Sequence, residues 1–188
     1  MRRQGEVVQS RSLAFAVALA LAWAASAAAQ PLKKNPTPQD YVERNGGGAM
    51  IVPAGQLVLD GHRMTCRNLA TVLDPNLNDY AAARYPQFII LNMPYVAKVP
   101  TAVKLWIYSH ECGHQVGGPD ENEADCYAVR RGRAEGWLNP QDMDAVCNFI
   151  TAARPDAAHV SGPDRCNLMR ECFRQVAPKP AATPKPAQ

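Results

Sequence analysis

Residues 101–128 read TAVKLWIYSHECGHQVGGPDENEADCYA, and this stretch decides the reading of the chain. Val103, Trp106, Ile107, His110 and His114 recur at i, i+3, i+4, i+7 and i+11. That spacing is one stripe of an α-helix and predicts a helix over 101–115, with Gly117 and Gly118 as its stop. Asp120 followed by Glu123 is a capping pattern, so a second helix is expected from Asp120 to about Gly132.

Inside the first helix lies His110-Glu111-Cys112-Gly113-His114, an H-E-x-x-H. Two histidines four residues apart stack on one helical face, so both imidazoles reach a single Zn²⁺ while Glu111 is aimed at the open coordination position. Zinc acidifies a water there, and Glu111 is the base that takes its proton. The two histidines continue the apolar stripe and are two of only four in the chain, which argues against chance surface residues. A catalytic zinc wants three protein ligands. Glu121 is the preferred third, with Asp125 one turn on to accept the free N–H of a ligand imidazole. Asp120 is its rival, because HECGHQVGGPD also fits H-E-x-x-H-x-x-G-x-x-D, although helix capping already explains it. Cys112 sits about 200° around the helix from His110 and points away from the metal.

HECGH followed by ENEADCYA resembles the gluzincin zinc peptidases, and the E-x-E-A-D form is similar to the peptidases grouped with the CAAX prenyl proteases. The likeness covers about residues 88–130. It implies a zincin-like fold, peptide-bond hydrolysis, Zn²⁺ as cofactor and Glu121 as third ligand. It also implies that the strand at Phe88–Asn92 edges the cleft and pairs with an extended peptide. His159, in HVSGPDR, resembles the H-P-x-x-x-x-R segment of the same group and would donate a hydrogen bond to the tetrahedral oxyanion. One departure is the six residues between His114 and Glu121, fewer than those families usually have. That spacing is closer to metzincins, and HExxHxxGxPD resembles the snapalysin type with an Asp ligand. For a Met-turn the chain offers only Met143 or Met169. Tyr108 and Tyr127, close to the motif, read as packing residues, and His62 as surface or core filler.

Outward from this centre, residues 1–29 have a basic start, an apolar run and a small-residue end, the layout of a secretory signal. Their removal leaves 159 of the 188 residues and takes three Arg and one Glu from totals of 20 basic and 17 acidic. A charge so close to balance excludes a nucleic-acid footprint. All six cysteines follow the signal, and an even count in an exported chain reads as disulfides. Cys166 and Cys172 are too far apart on one helix to bond each other, so each reaches outward; a Cys112–Cys126 bond tying the two site helices is the pairing expected.

Residues 30–48 read as a flexible lead-in, 49–176 as the folded unit, and 177–188, with four prolines, as a disordered tail. Within the unit, Met50–Val52, Gln56–Leu59 and Phe88–Leu91 read as strands, with Asp60-Gly61 as a hairpin turn. Residues 79–84 read as helical turns. Further helices start at Asn139-Pro140 and near Ser161-Gly162-Pro163. The expectation is a small zincin-like α+β domain, short N-terminal strands followed by the active-site helix and three further helices. Its function would be that of a secreted or periplasmic zinc peptidase, acting on a peptide or protein substrate, with no stable membrane insertion once the signal is removed. The alternative is an exported zinc-binding module without hydrolysis, which would have no use for a base at Glu111.

Overall fold

In the computed structural model the described residues are 35–84, 87–152 and 161–179. The expected signal segment, His159 and all but the first three residues of the expected tail lie outside them. Among the described residues, six short strands and six helices make an α+β domain: α1 (Pro38–Asn45), β1 (Met50–Val52), β2 (Leu57–Leu59), β3 (His62–Met64), β4 (Thr71–Leu73), β5 (Ala81–Arg84), β6 (Phe88–Leu91), α2 (Met93–Val96), α3 (Thr101–Gly117), α4 (Glu121–Glu135), α5 (Pro140–Thr151) and α6 (Gly162–Arg174).

Four strands form one sheet in the order β1-β4-β6-β5, with β4 and β6 parallel and the other two pairings antiparallel. The apolar run of β6 is explained by burial on both faces. Ile89 and Leu91 point into the larger core beneath the helices, while Phe88 and Ile90 meet Tyr41 and Val72 on the α1 side. β2 and β3 form a separate hairpin. Its turn residues Asp60 (φ 46°) and Gly61 (φ 83°) both take the left-handed conformation that a tight two-residue hairpin turn requires.

Three expectations about helices and strands differ from the structure. Part of the supposed lead-in is helix α1, fixed by a capping box between Thr37 and Asp40 with Pro38 in the first turn. Only Tyr41 is buried in it, so an apolar period was never present to be read. Residues 81–84 are a strand rather than helical turns, because pairing with β6 outweighs the helix preference of three alanines. Finally, β6 is an interior strand; the free edge next to it belongs to β5.

α3 rests on the sheet, and Gln115 fastens it by donating from Nε2 to the Phe88 carbonyl at 2.8 Å. α4 crosses α3 at very short range, since a Cβ added to Gly113 would lie 2.7 Å from Ala124 Cα. α5 begins at the expected cap, Asn139, and α6 begins where Ser161-Gly162-Pro163 placed its start, with Ser161 as the cap. Met143 and Met169 are buried within these helices and form no turn.

Three disulfides join Cys66 to Cys112, Cys126 to Cys172 and Cys147 to Cys166. The expected Cys112–Cys126 bond is therefore not formed. Cys112 of α3 is bonded instead to Cys66, shortly after β3, and Cys126 of α4 to Cys172 of α6. Cys166 and Cys172 reach separate partners, as helix geometry demands. None of the helices among the described residues is long and apolar enough to cross a membrane.

Candidate metal centre

His110 and His114 lie one turn apart on α3, and Glu121 is the first residue of α4. Two local features let so short a connection bring them together. Gly118, at φ 95°, turns the chain directly after α3, and the Gly113–Ala124 contact removes the usual side-chain spacing between the helices. Asp120 stays outside the cluster as the N-cap of α4, accepting from the Glu123 backbone N–H at 2.9 Å.

The three side chains meet closely. His110 Nε2 and His114 Nε2 are 3.1 Å apart, and Glu121 Oε2 is 3.1 Å from the first and 3.4 Å from the second. Each imidazole is also held from behind. His110 Nδ1 faces Asp125 Oδ1 at 2.9 Å, and His114 Nδ1 faces the Gly118 carbonyl at 2.9 Å. Both partners are acceptors, so each Nδ1 donates to its partner and each Nε2 faces the other ring and a carboxylate oxygen, the tautomer from which an imidazole can offer Nε2 to a metal. Two imidazole nitrogens and a carboxylate oxygen thus converge, and His110, His114 and Glu121 form a group that could hold a metal ion.

A proton competes for the same position. Burial disfavours the His110 imidazolium, but hydrogen bonding to Asp125 and Glu121, with the nearby Asp125 and Glu111 charges, raises its pKa to about 9. Metal binding to such a ring displaces the proton.

Asp125 is fully buried. Arg165 of α6 grips it with two hydrogen bonds, Nε to Oδ2 at 2.8 Å and Nη2 to Oδ1 at 2.9 Å. Although burial alone would raise the Asp125 pKa, hydrogen bonds from His110 and Arg165 and their charges bring it below the ordinary value. Trp106, one turn before His110, lays its ring 5.4 Å from the imidazole, with the Arg165 guanidinium 5.7 Å from the indole. Glu111 feels this environment as well. Burial pushes its carboxyl upward against the lowering influence of His110 and His114, and Glu121 and Asp79 add to the rise.

The structure thus unites His110, His114, Glu121 and Asp125, leaves Asp120 to its cap, and has Glu111 between the two histidines on α3. Two contributors have no role in the sequence reading, the Gly118 carbonyl and Arg165, the last residue of the HVSGPDR segment. A buried carboxylate at Asp125 calls for a cationic partner, and the likeness of HVSGPDR to H-P-x-x-x-x-R is the one sign in the sequence that singles out Arg165. Tyr108 is packed in the core, and Tyr127 lies on the other side of α4, with its hydroxyl 3.7 Å from Cys112 Sγ. A cavity of about 410 Å³ there, lined by Gly113, Val116, Tyr127, Arg130 and Arg131 among others, contains none of the three ligands. No family model, curated protein or solved structure matches the chain.

Proposed function

We propose that the protein is an exported zinc-dependent peptidase. The observation that carries this reading is the triangle formed by His110 Nε2, His114 Nε2 and Glu121 Oε2, with sides of 3.1, 3.1 and 3.4 Å. Ligands at about 2.0–2.1 Å from a tetrahedral zinc stand roughly 3.3 Å from one another. The triangle therefore has the size of one face of a zinc tetrahedron, and two nitrogens with one carboxylate oxygen are a donor set suited to that ion. Three protein ligands leave a fourth position open, as catalytic rather than structural sites do.

His110, His114 and Glu121 would hold the zinc, which when bound supplies a Lewis acid that lowers the pKa of water and polarises a carbonyl. The chain's own residues supply the rest. Glu111 takes the proton of the attacking water and delivers it to the leaving amine. Asp125 and the Gly118 carbonyl keep both imidazoles in the tautomer that offers Nε2. An extended peptide substrate pairs with the free edge of β5, the strand that packs against α3, in place of β6. His159 remains the proposed oxyanion donor. Export accords with three disulfides that leave no free cysteine.

The test is Glu111→Gln, assayed for zinc content and for cleavage of a peptide library. The variant should keep the metal and lose at least ~100-fold in rate. Cleavage at the wild-type rate would refute the mechanism, and a wild type that binds zinc without cleaving any peptide would leave a zinc-binding module.

A further inference from the structure

We propose that Arg165 positions the metal centre through Asp125, and that the two cystines holding α6 make metal affinity depend on their oxidation. The inference rests on the metal centre proposed above but does not require hydrolysis.

Asp125 has no exposed surface, and its two oxygens are shared between His110 and Arg165. A guanidinium bound through two parallel N–H groups fixes the plane of the carboxylate. That plane sets the direction of Oδ1, which holds His110 Nδ1–H and so aims Nε2 at the metal. Without Arg165 the carboxylate would be buried with its orientation no longer imposed from α6.

Arg165 comes from a helix that the disulfides fasten at two points. Cys166, the residue after Arg165, is bonded to Cys147 of α5, and Cys172 to Cys126 of α4, the residue after Asp125. Each member of the ion pair is therefore followed directly by a half-cystine belonging to the attachment of α6. Apolar packing of Met169 and Phe173 also holds the helix, but these residues lie in its later turns, while Arg165 is in the first. Cys166 is partly exposed whereas its partner Cys147 is buried, so this bond is open to exchange from the Cys166 side.

Each cystine forms when one cysteine thiolate attacks a disulfide oxidant and the second cysteine then attacks the mixed disulfide. Two protons and two electrons leave the protein, and the oxidant departs as a dithiol. Until this happens α6 is free to shift by the fraction of an ångström that the Arg165 fork does not tolerate. The centre then binds metal weakly, and tight loading follows oxidation.

The experiment measures zinc affinity by competition with a chromogenic chelator, on the full chain, with circular dichroism to verify folding. Arg165→Lys, which keeps the charge but loses the fork, and Cys147→Ala/Cys166→Ala should each weaken affinity by ~10–100-fold. In an Asp125→Asn background the same changes should have less than ~3-fold effect, because the route through Asp125 is already cut. Should the double cysteine variant not fold, wild type with only this bond opened by a phosphine, which leaves as its oxide, and both thiols alkylated takes its place. Wild-type affinity in these proteins, or an undiminished loss in the Asp125→Asn background, would overturn the proposal. So would a wild type that binds no zinc, which removes the metal centre as well. Zinc binding without peptide cleavage removes only the hydrolase reading.

Discussion

Gly113 and Ala124 are in backbone contact across α3 and α4, close enough that a methyl group at 113 would lie 2.7 Å from Ala124 Cα and 3.0 Å from its carbonyl oxygen. This contact allows Glu121 to reach the two histidines from the first turn of α4. Gly113→Ala should force the helices apart, costing ~1–3 kcal/mol in stability and most of the metal binding. Gly117→Ala is the matched control, since a Cβ there has nothing within 4 Å. Thermal unfolding and zinc titration of the two variants should therefore differ clearly.

The third ligand can be tested separately. Glu121→Ala should abolish tight zinc binding by removing one of three donors. Asp120→Asn should be mild, because Asn caps a helix about as well as Asp. A zinc titration with the opposite order would move the ligand to Asp120.

What the sequence made legible was local. The stripe through His110 and His114, and the Asn139-Pro140 and Ser161-Gly162-Pro163 starts, depend on neighbours within one or two helical turns, and α3, α5 and α6 lie where these signs put them. The grouping of Glu121 and Asp125 with the histidines was legible for the same reason, since each faces the site at helical spacing. Everything set by contacts distant in sequence escaped. Thr71–Leu73 takes its place as a strand by pairing with β1 and β6, and Ala81–Arg84 becomes one only against β6. The interior place of β6 is a matter of strand order. The cystine pairing follows how helices cross, and Arg165 meets Asp125 across 40 positions of chain.

Tyr41 anchors α1, with its hydroxyl donating to the buried Asp74 at 2.7 Å. Burial, then this hydrogen bond and the Asp74 charge, push the phenol from 10.0 up to about 12, with Arg84 opposing. A pKa raised in the folded state means that the folded chain holds the proton more tightly. The associated stability is complete below pH 10.0 and is lost as pH rises through about 12. Tyr41→Phe should cost ~1–3 kcal/mol at neutral pH by removing a donor from a buried acceptor. It should also lack this alkaline loss, which urea unfolding between pH 9 and 12 would detect; an identical pH profile in the variant would argue against the role given to Tyr41.

The most direct test of the account is the position of the metal itself, found by anomalous diffraction at the zinc edge from crystals of the protein prepared with zinc. The account predicts one peak bounded by His110 Nε2, His114 Nε2 and Glu121 Oε2, about 2.0–2.2 Å from each. A triangle without a peak, or a zinc bound through Asp120 instead of Glu121, would contradict it.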